Sequence, residues 1–306
     1  MTDYAIYDVF TDTALHGNPL AVVFDADQIE PDQMQKIARE FNLAETVFVL
    51  KAENPVHTAR LRIFTPTREL PFAGHPTVGT AVALADRGLG YDLPDNGIDM
   101  VKMLEEQIGP VRCAVRVGRK EVGFAEFDLP RLSRQLDIEI EPADIGAALG
   151  LDPHEIGFEN HRVSLWSAGV PFVMVPVHDQ AAAAKAECNA AEWDRVAPMG
   201  DGQLAHPYIY CRGGVNHTAS FHARMFAPGM GIAEDPATGS AAAALSGAIH
   251  HFDGLLEGNH ALVIEQGVEM GRPSLIHLHI DCVGAEVSHV RIGGQAVRIA
   301  KGQLML

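Results

Sequence analysis

Arg62-Ile63-Phe64-Thr65-Pro66 leads, ten residues beyond its proline, to Pro76-Thr77-Val78-Gly79-Thr80-Ala81, and the same pattern returns later in the chain. Arg224-Met225-Phe226-Ala227-Pro228 leads, eight residues beyond its proline, to Pro236-Ala237-Thr238-Gly239-Ser240-Ala241. The strands match at an offset of 162 and the proline-led segments at 160, so the loop between them differs by two residues. Each pair reads as a strand followed by a helix entrance. Backbone N–H groups at a helix N-terminus lack intrahelical partners and attract anions. Two such entrances in duplicated halves point to one shared anionic ligand, and to an enzyme with its site between two similar domains.

The repetition extends outward from this core. Gly169-Val170-Pro171-Phe172 echoes Gly17-Asn18-Pro19-Leu20. Pro31 opens an amphipathic helix with Met34, Ile37, Ala38 and Phe41 on one face, and Ala190–Val196 supplies its counterpart. Ala205-His206-Pro207-Tyr208-Ile209 stands where Ala44-Glu45-Thr46-Val47-Phe48 stood. Five correspondences in one order mark an internal repeat. Ala5–Phe10, Leu20–Phe24, Glu45–Leu50, Thr58–Phe64, Val111–Val117 and Val122–Asp128 read as strands, and Thr77–Arg87 as a helix ending at Gly88 and Gly90. Near Pro130 the texture changes, with Pro142–Leu151 and Pro153–Ile156 helical. Strands followed by one long helix per half predict an α+β fold, a sheet wrapped around a central helix in each domain. Gly79, Thr80, Ala81 and Ala83, and Ala241–Ala244, are small enough to let each helix approach its sheet closely. The expected division is an N-terminal lobe of residues 1–130, joined by the last strand at about 295–306, and a C-terminal lobe of 131–294.

Composition excludes several classes of function. The 306 residues suit two domains, and 47% hydrophobic content suffices for ordinary cores. A formal net charge of −17 with scattered basic residues argues against nucleic acid and acidic membrane surfaces as partners. Cys113, Cys188, Cys211 and Cys282 are too sparse for a disulfide scaffold or zinc site, so a reducing, cytoplasmic setting is expected. The first residues, Met1-Thr2-Asp3-Tyr4, do not read as a signal peptide, and no apolar run reaches membrane-spanning length. No dinucleotide fingerprint or Walker loop is present, so no cofactor is expected. His277 and His279, and His250-His251, have no third ligand at a convincing spacing, so no metal is expected either.

The chemistry-bearing positions cluster at the repeated segments. Glu45 opens an otherwise apolar strand directly after a helix, where desolvation would raise its pKa toward the range useful for moving protons. An exposed acid ending the helix is the other reading of that placement. His206 is its counterpart, so the halves share a scaffold and differ in chemistry. His75 and Asp235 each precede a helix-opening proline; both suit helix capping, and both could orient a polar group of a substrate. Gly74, Gly239 and Ser240 would present N–H groups, with the Ser240 hydroxyl as a further donor, although turn geometry also favours glycine there. Gln266, in the turn-rich segment Gln266-Gly267, is a further site candidate of unassigned role.

At these residues the chain resembles the PhzF-like family of phenazine biosynthesis proteins, within the diaminopimelate-epimerase-like fold. The resemblance runs through Asp8-Val9-Phe10-Thr11, Gly17–Val23, Ala44–Phe48, Arg62–Pro66, Glu69–Thr77, Glu234–Ala241 and Glu265-Gln266-Gly267. It implies two pseudo-symmetric domains, each a mostly antiparallel sheet around a central helix, commonly in a homodimer without cofactor or metal. It places the family's acid/base glutamate on Glu45, the accompanying histidine and aspartate on His75 and Asp235, and the substrate-binding glycines and serine on Gly74, Gly239 and Ser240. Related epimerases carry paired catalytic cysteines in the two entrance loops; this chain has Ala73, His75, Asp235 and Ala237 there and no thiol. The function expected is proton movement within a small carboxylate-bearing metabolite, of the dihydro-hydroxyanthranilate kind, by general acid–base catalysis. An epimerase or racemase with two bases, Glu45 with His206 or His75, and a non-catalytic binder of an acidic metabolite are the competing readings.

Overall fold

The computed structural model describes residues 1–137, 140–230 and 232–305. Leu306, the end of the expected last strand, lies outside the described residues, as do residues 138, 139 and 231 within the expected C-terminal lobe. The chain divides into two compact units, Met1–Pro130 with Gly293–Leu306, and Arg131–Ile292. Among the described residues no helix is long and apolar enough to cross a membrane.

The first unit contains β1 (Thr2–Val9), β2 (Asn18–Val23), α1 (Pro31–Phe41), β3 (Glu45–Leu50), β4 (Ala59–Phe64), β5 (Glu69–Leu70), α2 (Gly74–Gly88), β6 (Ile98–Glu106), β7 (Gly109–Gly118) and β8 (Glu121–Asp128). Gly17, at φ +64°, turns the β1–β2 hairpin. β2 runs parallel to β3 with Leu20 beside Glu45. β3 pairs antiparallel with β4, β4 parallel with β6, and β6 antiparallel with β7. α2 is buried on almost every face because strands β1, β2, β3, β6, β7 and β8 pack around it. Helices with small residues all round suit such a central place.

The second unit contains β9 (Arg134–Leu136), α3 (Pro142–Leu149), β10 (Ser164–Ser167), β11 (Pro171–Pro176), α4 (Gln180–Lys185), α5 (Ala190–Val196), β12 (Met199–Gly200), β13 (Gln203–Leu204), β14 (His206–Arg212), β15 (Phe221–Ala227), β16 (Ile232–Asp235), α6 (Gly239–Asp253), β17 (Gly258–Gln266) and β18 (Ser274–Val283). The long β19 (Glu286–Leu304) begins in this unit, and from Gly293 onward it belongs to the first, pairing antiparallel with β1. β11 runs parallel to β14 with Phe172 beside His206, β14 antiparallel to β15, β15 parallel to β17, and β17 antiparallel to β18. α6 packs against β9, β10, β11 and β18.

The two sequences of pairing share both sense and register. Ile63 faces Val47 and Met225 faces Tyr208, each two residues beyond Glu45 and His206. Arg60 faces Glu105 in the first unit, and His222 faces Glu265 in the second. Glu45 and His206 are therefore equivalent backbone positions, and so are Glu106 and Gln266. The repeated Arg-x-Phe strand carries the same side-chain device twice. Arg62 donates to both oxygens of Glu69 at 2.7 Å and lies over Phe64, and Arg224 donates to Glu234 at 2.8 and 2.9 Å and lies over Phe226.

The helix entrances are less alike than their sequences. The expected helix Thr77–Arg87 begins at Gly74, so Pro76 stands inside its first turn, where its missing N–H costs nothing. α6 begins at Gly239, three residues after Pro236. The helices thus start 165 residues apart, against 160 for the matching prolines. The difference has a local cause: Thr238 donates its hydroxyl to Asp235 Oδ2 at 2.5 Å and its N–H to Gln266 Oε1 at 3.2 Å, which holds the segment after Pro236 outside the helix. β6 was not anticipated in the sequence, because its early residues are half-exposed and its buried last residue is an acid.

Candidate active site

Glu45 lies where α1 has ended in the left-handed cap Asn42 (φ +51°) and the chain enters β3. It is the first residue of a strand whose every position is buried, and its side chain is only 12% exposed. His75, in the first turn of α2, brings Nδ1 to 3.3 Å from Glu45 Oε2. Burial pushes the His75 imidazole down to about 3, against its ordinary 6.5. A nearby carboxylate alone would push the other way, and desolvation outweighs it at this fully enclosed ring. The pair is therefore a carboxyl group beside a neutral imidazole, with no imidazolium in an ion pair. Among the described residues His75 Nε2 is buried and has no hydrogen-bond partner.

Around this pair the α2 entrance has no side-chain cap at Ala73. Gly74 and His75 occupy first-turn positions, whose N–H groups have no intrahelical acceptor. Thr77 closes the turn from within, its hydroxyl 2.8 Å from Ala73 O and also 2.8 Å from Glu106 Oε1. Glu106 is buried, and desolvation raises its carboxyl to about 8, although the Thr77 hydrogen bond pulls it down.

In the second unit Asp235 ends β16 as a buried carboxyl group. Gln266 organises the neighbourhood. Its Nε2 donates to Asp235 O at 2.7 Å and lies 3.0 Å from Thr238 Oγ1, while its Oε1 accepts from Thr238 N and from the Tyr208 hydroxyl, both at 3.2 Å. Burial, and after it the Asp235 charge, raise Tyr208 well above the ordinary phenol range, so this hydroxyl remains a donor. Gly239 and Ser240 are the first two residues of α6, Gly239 buried and Ser240 half-buried. His206 is buried 6.2 Å from the Phe172 ring.

The sequence candidates thus fall into two clusters, each built within one unit: Glu45 with His75 and Gly74, and Asp235 with Gly239 and Ser240. Thr77, Glu106, Tyr208 and Thr238 were not singled out from the sequence. The signal that could have found Glu106 is the adjacency Glu105-Glu106 before the turn Gln107-Ile108-Gly109, which parallels Glu265-Gln266-Gly267. Among the described residues one group has metal-ligand proximity, Glu159, His161 and Asp253, and it involves neither histidine pair noted in the sequence. The Arg212 guanidinium donates to both Glu159 and Asp253 there, so the cation of that cluster is an arginine.

Residues 7–302 match the family described as phenazine biosynthesis-like protein (PhzC-PhzF). An uncharacterized isomerase of Mesorhizobium japonicum is 53% identical over 99% of both chains. The trans-2,3-dihydro-3-hydroxyanthranilate isomerase of Pseudomonas chlororaphis is 36% identical over the full length of both. Among solved structures, a phenazine biosynthesis protein of the PhzF family from Bacillus anthracis superimposes with a TM-score of 0.86 at 25% identity, covering 100% of this chain and 99% of its own.

Proposed function

This chain belongs to the phenazine biosynthesis-like protein family, and from that membership we propose that it is an isomerase moving a proton within a small, carboxylate-bearing ring of the dihydro-hydroxyanthranilate type. Glu45 is the acid/base group. It takes a proton from one carbon and returns it to another on the same face, as a single carboxyl group must. The observation that carries this reading is the 3.3 Å approach of Glu45 to a neutral, buried His75. A neutral imidazole puts no positive charge of its own beside the carboxyl group, and its Nε2 remains to bond a polar substituent of the substrate. Gly74, Gly239 and Ser240 take the carboxylate and the developing negative charge by preorganised N–H donors. Asp235 orients a substrate amine or hydroxyl, steadied through Thr238 and Gln266.

General acid–base catalysis of this kind contributes roughly 10²–10⁴-fold. Glu45→Gln, assayed with trans-2,3-dihydro-3-hydroxyanthranilate in deuterated water, is expected to bind the compound and lose solvent exchange by about that factor. Exchange at the wild-type rate in this variant would remove Glu45 from its role. Isotope incorporation with inversion at a single carbon would favour a two-base epimerase over transfer along one face.

A further inference from the structure

Two carboxyl-rich corners of the molecule share a plan, and they differ where one has a glutamine and the other a glutamate. In the second unit Glu265 accepts from the N–H groups of Val215 and Asn216 and contacts His222 Nδ1 at 2.8 Å. In the first, Glu105 accepts from the N–H groups of Glu53 and Asn54 and contacts His57 Nδ1 at 2.9 Å. The residue after each of these glutamates reaches the entrance of the central helix. Gln266 meets Thr238 there, and Glu106 meets Thr77. Gln266 has an amide that donates as well as accepts, whereas a glutamate donates only when protonated.

The Thr77 contacts distinguish the two forms of Glu106. Its hydroxyl carries one hydrogen, yet Ala73 O and Glu106 Oε1 both lie at 2.8 Å. A protonated Glu106 satisfies both contacts, donating to Thr77 Oγ1 while Thr77 donates to Ala73 O. An ionised Glu106 must take the Thr77 hydrogen for itself, which removes the hydroxyl bond to Ala73 O and leaves that carbonyl only the Thr77 N–H at 3.2 Å. We infer that Glu106 is a positioning residue that works as a neutral carboxylic acid, fixing the α2 entrance through Thr77 as the Gln266 amide fixes that of α6.

Every element packed against Glu106 agrees with the neutral form. Its Oε2 is buried and has no hydrogen-bond partner among the described residues, which a neutral acid tolerates far better than a carboxylate. From β4, Arg60 and Arg62 are turned to Glu53 and Glu69. From β7 comes the buried thiol of Cys113, itself raised by burial and then by Glu106. On β6, Glu105 is engaged by His57, and on α2, His75 is neutral. Among the described residues no cation lies within ion-pairing distance of Glu106. Desolvation accordingly places its titration near pH 8.

The inference rests on the proposed role of the α2 entrance, and its test separates the two. Infrared difference spectra of the protein, recorded across neutral to alkaline pH, should show a protonated-carboxyl band that disappears around pH 8 and is missing from Glu106→Gln. The midpoint of that band should move in a Thr77→Val protein, because the Glu106 carboxyl group loses its hydroxyl partner, and a midpoint that stays put overturns the inference. This variant decides the matter if Glu106→Gln does not fold. No such band, or a band unchanged in Glu106→Gln, overturns the inference. With trans-2,3-dihydro-3-hydroxyanthranilate as probe, wild-type kcat/KM should fall about tenfold by one pH unit above the titration, and the fall should be absent from Glu106→Gln. An equal fall in both proteins rejects the positioning role. If the probe is turned over by neither, the proposed substrate class fails and the infrared titration still decides Glu106.

Discussion

His75 shows how one side chain couples stability to the chemistry beside it. A histidine buried as a neutral base must either stay unprotonated in the folded protein or break its enclosure to bind a proton. In the unfolded chain it titrates near its ordinary 6.5, and in the folded protein at about 3. Because the folded value is depressed, its contribution is complete above 6.5 and lost as pH falls toward 3. The full shift corresponds to a few kcal/mol, roughly 1.4 kcal/mol for each unit. We predict that the unfolding free energy of the wild-type protein, measured by urea titration, declines between pH 6.5 and 4 more steeply than that of His75→Gln. Parallel declines would mean that His75 binds its proton without leaving the folded site. At this scale the sequence was readable where a residue broke its local pattern, as Glu45 does at the head of an apolar strand. Glu106 breaks no such pattern. It ends a strand whose opening residues face solvent, and only the backbone register shows it to be the counterpart of Gln266 in the repeat.

Elements are held to their sheets by small residues, and α6 carries a tight example. A Cβ added at Gly247 would lie 2.6 Å from Ser133 Oγ and from the Trp166 ring. Trp166 is buried and its indole N–H donates to Ser164 at 3.0 Å, while the Ser133 hydroxyl donates to Ala244 O at 2.7 Å. Neither neighbour can retreat without losing a hydrogen bond. Overpacking of this kind costs about 1–3 kcal/mol. Gly247→Ala is therefore expected to lower stability by that amount in chemical denaturation, without changing the residues of the α6 entrance. The repeat was legible at this level because alanine and glycine runs on both helices answer one demand, close approach to a surrounding sheet. The helix starts were not legible. Pro76 and Pro236 look equivalent in sequence, yet one lies inside its helix and the other outside. The deciding contacts come from Gln266, thirty residues beyond Pro236 in the chain, and no local propensity reports them.

For the whole molecule, the balance of buried charges sets where folding is strongest. The chain has a net charge of −17, and deep in the second unit one imidazolium joins two carboxylates. His222 lies 2.8 Å from Glu265 and 2.9 Å from Glu269, with its own side chain 1% exposed. Burial alone would lower it, but hydrogen bonds to both carboxylates prevail and hold it at about 9. A raised histidine contributes fully below its ordinary 6.5, and that contribution is lost as pH climbs through 9. Glu106, raised to about 8, acts in the same direction, and its contribution is lost as pH rises from 4.5. His75 acts in the opposite direction, as do Glu265 and Glu269, whose folded carboxyl groups sit below their ordinary range. Between about pH 5 and 6.5 the Glu106 and His75 limbs offset each other, so these groups give a plateau of stability there, with a fall on the alkaline side. Removing the cation from such a buried pair typically costs about 3–5 kcal/mol. His222→Gln should lose about that much at pH 7, and the deficit should shrink above pH 9, where the wild-type imidazole is neutral as well. Urea titrations of both proteins from pH 5 to 10 test this directly. A deficit that stays constant across that range would show that packing of the ring, and not its charge, is what the two carboxylates require.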